Sequence, residues 1–224
     1  MSKLELKVDC ELTTELLGTA PANPDLLRDF VQSRRPEDAE ADDEDEAATL
    51  PTLEEELQKS TTVFHRTADG KPFLFDYQIK GFLKEACGAL RRCEGTVSEG
   101  ITAYKERIDK LIFVFPRRIP LELPEDGRII FKARPLRAQT PKGERVTLVR
   151  SEEAPPGTRL SFELHALDDR LFEAIEEWLT YGNLNGLGQW RNASHGRFTY
   201  ALQVVEGTPK QAAKKAPTKG SRRA

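Results

Sequence analysis

The chain has 224 residues, 38% of them hydrophobic and 32% charged, so it can bury a sizeable core and is rich in charge. No apolar run has the length that spans a bilayer, and residues 1–7 lack the apolar stretch of a secretory signal, which together favour the cytoplasm. The odd number of cysteines without CxxC spacing (Cys10, Cys87 and Cys93) argues against a disulfide framework and against a zinc site.

Charge is distributed unevenly along the chain, although the net charge is only −3. Residues 36–57 hold eleven acidic side chains and no basic one, which leaves 34 basic against 26 acidic residues elsewhere, a balance of +8. Residues 208–224 add six basic side chains and no acidic one. A basic body of this kind favours a polyanionic partner.

Hydrophobic periodicity predicts the first elements. Residues 3–13 alternate between apolar and polar side chains, which predicts a half-buried strand. Residues 24–31 predict a short helix. Residues 34–60 are acidic and of low complexity, and we expect a mobile insertion there because so little apolar surface cannot offset the ordering entropy. Apolar residues at helical spacing then predict an amphipathic helix over residues 78–92.

The remaining elements complete an α+β order. A second helix is predicted after a cap at Asp168 or Asp169. Apolar runs or alternation predict the further strands at residues 111–115, 128–131, 146–149, 159–167 and 197–205. This order is that of a ferredoxin-like (RRM-like) antiparallel sheet with two helices on one face and the other face open. We therefore predict one domain over residues 1–207, with the acidic insertion at about 34–60, and a disordered basic tail at 208–224.

A glycine-rich segment at residues 186–198 is the best candidate binding site. Glycines permit positive φ angles and close approach of the backbone to a ligand, and successive N–H groups in such turns form anion-binding concavities. Tryptophan adds a stacking plane and arginine adds charge, as single-stranded RNA requires. The candidate RNA-binding residues of this loop are Gly186, Gly188, Trp190, Arg191, Asn192, Ser194, Gly196 and Arg197. The alternative is a surface loop that only closes onto the last strand.

Basic residues outside this loop are further candidates for phosphate binding. Lys80 lies near the start of the first predicted helix, where free N–H groups and the helix dipole favour anions. Arg117, Arg118, Arg134 and Arg137 lie at strand ends or in loops beside prolines and can hold phosphates bidentately. The alternative for each of them is solvated surface charge.

Histidines are the candidates for catalysis, because a metal-independent ribonuclease needs a general base that titrates near neutral pH. His195, beside Ser194 in the glycine-rich loop, is the first candidate, and His65 is the second. His165 lies on the polar face of a predicted strand, where we expect a surface residue. The acidic insertion lacks the frame of an EF-hand, and we predict neither a metal nor another cofactor.

Four segments in a fixed order resemble the repeat-associated mysterious protein (RAMP) superfamily of CRISPR systems. The clearest match is Ile79-Lys80-Gly81, at the start of the family's first helix. The four resembling segments are residues 16–19, 73–84, 150–158 and 186–198. The chain differs from the family at Asp76-Tyr77-Gln78, where the family has a Pro-Gly-Ser-Ser turn, and at Arg197, where the glycine pattern has its last glycine.

The resemblance is to type III backbone subunits, and it implies an RNA-binding subunit of a CRISPR ribonucleoprotein that acts in antiviral defence. Such a subunit contacts the guide RNA backbone through the glycine-rich loop, Lys80 and a basic groove beside the sheet. The implied partners are guide or other single-stranded RNA, other ribonucleoprotein subunits and copies of the chain itself. The resemblance also allows a stand-alone or mobile-element relative. Two further hypotheses remain open: a metal-independent endoribonuclease that uses His195, and a protein-interaction factor that kept the fold without its ligand.

Overall fold

The strands and helices of the protein are given by a computed structural model that describes residues 4–23, 60–140 and 143–206. The predicted helix at 24–31, the acidic insertion apart from Ser60, and the basic tail lie outside the described residues. The strands are β1 (Leu4–Leu12), β2 (Leu16–Leu17), β3 (Ala20–Pro21), β4 (Thr61–Val63), β5 (His65–Arg66), β6 (Pro72–Phe75), β7 (Ile112–Phe115), β8 (Arg118–Pro120), β9 (Ile130–Thr140), β10 (Gly143–Ala154), β11 (Arg159–Ala166) and β12 (Phe198–Glu206). The α-helices are α1 (Asp76–Leu90), α2 (Tyr104–Leu111) and α3 (Phe172–Asn185), and short 3₁₀ turns lie at Val97–Gly100, Asp169–Leu171 and Arg191–Ala193.

The central sheet has four antiparallel strands in the order β12-β1-β11-β7. The alternation predicted for β1 and β11 is confirmed, since every second side chain of both strands is buried. These buried side chains share one core with α1 and α3, whose apolar faces supply Phe82 and Trp178. The protein therefore has a mixed α+β fold with antiparallel sheets and three α-helices in the described residues.

Side-chain hydrogen bonds stabilise the start of α1 and the 3₁₀ turn that precedes α3. The backbone N–H of Phe75 donates to Oε1 of Gln78 (2.7 Å) at the start of α1. Asp168 accepts from the backbone N–H of Arg170 (3.1 Å) in the 3₁₀ turn that leads into α3, which confirms one of the two predicted caps. Helix α2 was not predicted from the sequence. Its eight residues bury only Ile108, which is too little apolar surface to give a recognisable period.

Two further sheets depend on pairing between distant segments. The predicted strands at 128–131 and 146–149 are parts of one long hairpin, β9 and β10, whose register runs from Thr140 opposite Gly143 to Ile130 opposite Glu153. Strand β10 also pairs with β2 and, in parallel, with β4, which in turn pairs with β3. A separate sheet has the order β5-β6-β8. No helix of the described residues is both long and apolar enough to cross a membrane.

The open face of the central sheet carries charges that pair with one another. Oε2 of Glu11 accepts from Nε of Arg159 (2.9 Å), and Nζ of Lys7 lies 3.4 Å from Oδ2 of Asp9. Across β1 and β11 this face shows the carboxylates of Glu5, Asp9, Glu11 and Glu163 against the cations of Lys7 and Arg159. Acidic residues outnumber basic ones on this part of the face, so the outward positions of β1 and β11 do not form a basic groove.

Candidate nucleic-acid interface

The two ends of the glycine-rich loop meet where the backbones of Gly186 and Gly196 are in close contact. Gly186 and Gly196 have φ angles of +81° and +75°, and the N–H of Leu187 donates to the carbonyl oxygen of Gly196 (2.8 Å). A Cβ atom on Gly186 would lie 2.5 Å from the carbonyl oxygen of His195, so a side chain there would collide with the backbone. Both glycines therefore serve packing within the protein and fix the path of the loop.

The loop is docked onto the corner between β1 and β2. Oγ1 of Thr14 donates to the carbonyl oxygen of Ser194 (2.7 Å) and accepts from the N–H of Arg197 (2.9 Å). The N–H of Gly196 donates to the carbonyl oxygen of Glu15 (2.8 Å). These bonds hold both ends of the loop's second half against the first strands, so its exposed residues project from a fixed base.

All four segments that resemble the RAMP superfamily meet around Gln189. The Nε2 group of Gln189 donates to the carbonyl oxygen of Gly18 (2.5 Å) and to Oγ of Ser151 (3.3 Å). Nε2 of Gln78 donates to Oγ1 of Thr19 (2.7 Å), which adds the start of α1 to the same group. Segments that lie up to 171 residues apart in the chain thus form one surface.

Arg134 and Trp190 form the cationic centre of this surface. The guanidinium of Arg134 lies 4.2 Å from the ring centroid of Trp190, within the range of a cation–π contact. Arg134 is only 8% exposed, and its Nε and Nη1 atoms have no hydrogen-bond partner among the described residues. Burial lowers the pKa of Arg134, while the carboxylate of Glu153 acts in the opposite direction. A buried guanidinium with unused N–H groups is a strong attractor for an anion.

Arg191 is already paired within the protein. Its Nη1 forms an ion pair with Oε2 of Glu85 on α1, and Oε1 of Glu85 accepts from Nδ2 of Asn185 (3.1 Å). The side chain of Arg191 is 28% exposed, and the neighbouring Asn192 is exposed. A phosphate that binds Arg191 must therefore compete with the carboxylate of Glu85.

The other predicted cations lie on different elements. Nζ of Lys80 donates to the carbonyl oxygen of Asp109 (3.1 Å) and lies over the ring of Phe113, so its contacts are with α2 and β7. Arg118 lies over the ring of Phe73 in the small sheet, and Arg117 precedes it. Arg137 is exposed on β9. Arg134 contacts the glycine-rich loop through Trp190, whereas Lys80 and Arg118 contact residues of other elements.

The three histidines have separate surroundings. His195 is half-buried beside Trp190, with ring centroids 5.9 Å apart, and its Nδ1 has no hydrogen-bond partner among the described residues. His65 packs against the rings of Phe73 and Phe75, so its contacts do not overlap with those of His195. His165 is half-buried rather than fully exposed, between Glu5 and Glu163 on the open face. In the described residues no group of three His, Cys, Asp or Glu side chains is placed to hold a metal ion.

Two acidic residues that shape this surface were missed by the sequence analysis. Glu85 holds Arg191, and the buried Glu152 accepts from the N–H of Phe64 (2.8 Å) while it pairs with Arg66 (2.5 Å). The partners of Glu152 lie 86 and 88 residues away. No local sequence pattern can therefore reveal either carboxylate's role.

Comparisons with solved structures found a chain that shares this fold, whereas the sequence comparisons found no match. No family model and no curated protein matches the sequence. The chain is similar to a chain in the cryo-EM structure of the type III-B Cmr-beta complex bound to cognate target RNA, with a TM-score of 0.55 and 11% identity over 92% of this chain. It spans 61% of that chain's length.

A chain of a type IV-B CRISPR complex is also similar, with a TM-score of 0.47 and 13% identity, over 97% of this chain and 100% of that one. The likeness to the chain of the Cmr-beta complex shows a shared fold. At the level of the fold, the resemblance predicted from the four sequence segments is confirmed.

Proposed function

We propose that this chain is an RNA-binding subunit of a CRISPR-type ribonucleoprotein, and that the glycine-rich loop and Arg134 contact the backbone of a guide or other single-stranded RNA. The observation that carries the proposal is the convergence of all four RAMP-like segments around Gln189, beside the stacked pair of Arg134 and Trp190. The fold shared with a subunit of an RNA-bound complex agrees with it.

The chemistry of the surface supports a phosphate ligand. A phosphate oxygen pair matches the planar fork of a guanidinium, and Nε and Nη1 of Arg134 each lack a hydrogen-bond partner among the described residues. Trp190 beside it offers an aromatic ring of the type on which nucleobases stack. Arg191 adds a second cation once Glu85 releases it.

The strand order supports the finer description of the fold. The order β12-β1-β11-β7, with α1 between β1 and β7 in the chain and α3 between β11 and β12, is that of a ferredoxin-like sheet. We infer that this sheet forms one domain with the β9–β10 hairpin and the glycine-rich loop. The proposed setting is the cytoplasm, where other subunits or copies of the chain bind the same RNA.

Salt-dependent RNA binding tests the proposal. The full chain should bind labelled single-stranded RNA. A plot of the logarithm of the binding constant against the logarithm of the salt concentration should have a slope of about −0.7 per phosphate contact. Arg191→Ala should weaken binding and reduce the slope by about 0.7, which corresponds to one lost contact. Arg159→Ala is the matched control, because Arg159 is also paired with a glutamate but lies on the open face of the sheet. Equal effects of the two substitutions would contradict the proposal.

Failure to bind RNA even at low salt, together with a stable protein complex, would instead favour the protein-interaction factor.

The nuclease alternative rests on the half-buried His195, whose Nδ1 lacks a partner among the described residues. Incubation of labelled RNA with the wild type and with His195→Ala distinguishes it. We expect intact RNA with both proteins, and cleavage lost only in the variant would establish the nuclease.

A further inference from the structure

Four aromatic rings form a continuous row on the small sheet and the first turn of α1. The rings of His65 and Phe73 are stacked with centroids 5.8 Å apart, and Phe73 and Phe75 meet edge to face at 5.0 Å. Phe75 and Tyr77 are nearly parallel, with an interplanar angle of 19° and centroids 5.1 Å apart. We call His65, Phe73, Phe75 and Tyr77 the aromatic row.

The row becomes more exposed toward Tyr77. Strand β6 buries Leu74 on one side, which places Phe73 and Phe75 on the other side of the small sheet. Phe73 is buried under its neighbours, Phe75 and His65 are half-buried, and Tyr77 is 57% exposed. Burial lowers the pKa of His65, so its ring is neutral near pH 7 and joins the row as an uncharged plane. An aromatic ring this exposed, beside an already ordered ring, has one face available for stacking.

Two arginines border the row. The guanidinium of Arg118 lies 5.5 Å from the ring centroid of Phe73, and Arg118 is opposite Phe75 in the ladder between β6 and β8. The carbonyl oxygen of Arg117 accepts from the N–H of Asp76 (3.0 Å), so Arg117 lies next to the residue that precedes Tyr77. Both arginines are exposed. The carboxylate of Asp76 accepts from the backbone N–H of Tyr77 (2.8 Å).

The two middle strands of the central sheet, β1 and β11, do not offer an equivalent surface, whereas its edge strand β7 exposes Phe113 and Phe115. The outward positions of β1 and β11 carry charged and polar residues, and their only ring is His165, which lies between two carboxylates. Base stacking therefore favours the small sheet over the middle of the open face. Exposed rings flanked by cations are the combination with which proteins bind single-stranded nucleic acids.

We propose that the aromatic row is a second RNA site, at which a nucleobase of single-stranded RNA stacks on Tyr77 while Arg117 and Arg118 hold the adjoining phosphates. The site rests on the proposed RNA-binding function but uses a surface other than the glycine-rich loop. Phe75 holds the tyrosine ring in place, and Asp76 fixes the backbone at the start of the helix. The ligand class is an unpaired base with its flanking phosphates.

Removal of either stacking partner tests this site. The assay is fluorescence anisotropy of the full chain with labelled single-stranded RNA of mixed sequence, and with a matched RNA in which alternate bases are removed but every phosphate remains. Tyr77→Ala should weaken binding of the intact RNA by about 5- to 140-fold, and Tyr77→Phe should bind like the wild type because the ring is kept. The wild type should bind the abasic RNA more weakly than the intact RNA. For Tyr77→Ala the difference in affinity between the two RNAs should be much smaller.

Each outcome separates this site from the proposed function. Absence of RNA binding by the wild type would remove both proposals. Normal binding by Tyr77→Ala, with affinity still lost in Arg191→Ala, would overturn the aromatic site alone. Because Tyr77 is exposed, thermal unfolding should show that Tyr77→Ala is folded, and Leu184→Ala is a control for loss of an exposed apolar side chain on another helix (69% exposed). A dimer seen by size-exclusion chromatography and lost in Tyr77→Ala, with unchanged RNA affinity, would assign the row to self-association and refute the proposal.

Discussion

Glutamine at position 85 should make the chain bind RNA more tightly. In the free protein the Glu85 carboxylate pairs with Arg191, and RNA must break this pair before Arg191 can contact a phosphate. Both side chains are partly exposed (38% and 28%), so the pair is worth only about 0.2–1 kcal/mol. Glu85→Gln removes this competition, keeps an oxygen that accepts from Asn185, and should raise the affinity about 1.4- to 5-fold.

The matched control is Glu11→Gln, which releases Arg159 on the open face of the central sheet. Anisotropy titrations of both variants with the same single-stranded RNA, at low and at high salt, provide the measurement. The gain with Glu85→Gln should shrink as salt rises, because screening weakens the ion pair and the phosphate contact alike. An equal gain in both variants would show a nonspecific effect of net charge, and no gain in Glu85→Gln would refute the assignment of Arg191 to the RNA site.

Three further substitutions test how the fold supports the site. Ser98→Ala should destabilise the protein by about 1–3 kcal/mol, because the buried indole N–H of Trp178 loses its acceptor, Oγ of Ser98 (2.8 Å). Thermal unfolding should show a melting temperature that is lower by about 2–4 °C for each kcal/mol. Gly196→Ala should cost at least about 1–2 kcal/mol, because an alanine at a φ of +75° is strained, and RNA affinity should fall with the melting temperature. Asp168→Asn should destabilise the protein more at pH 7 than at pH 3, as measured by denaturant unfolding at both pH values, because the side-chain hydrogen bond from Arg170 lowers the pKa of Asp168.

The sign of the last prediction follows from linkage between protonation and folding. A carboxyl group with a pKa lowered in the folded protein adds stability above its unfolded pKa of about 3.9, and that stability is lost as the pH falls through the folded pKa. Asparagine keeps the cap but not the charge, so the difference between wild type and variant should become smaller as the pH falls. A difference that is the same at both pH values would show that the cap geometry, and not the charge, stabilises this turn. An unchanged melting temperature in Ser98→Ala would contradict the role of the hydrogen bond from Trp178. An unchanged melting temperature in Gly196→Ala would contradict the need for glycine at this positive φ.

Elements with a local repeat were predicted well from the sequence. The alternation of β1 and β11 and the helical spacing of α1 each depend on neighbours within a few residues, so the buried face can be read directly from the chain. The glycine-rich loop was also identified as a candidate site from its composition. Two of its glycines, Gly186 and Gly196, turned out to pack against protein backbone, because the sequence shows that a positive φ is permitted but not what approaches it.

The sequence by itself determined the α+β order, the buried faces of the first strand and helix, and the four segments that resemble a CRISPR family. Only the tertiary structure decided which charges meet. Arg191 pairs with Glu85, Arg134 lies on Trp190, and acidic residues outnumber basic ones at the outward positions of β1 and β11. The physical reason is range: periodicity is set by residues a turn or a pleat apart, whereas a binding surface joins segments that the chain brings together only after it has folded.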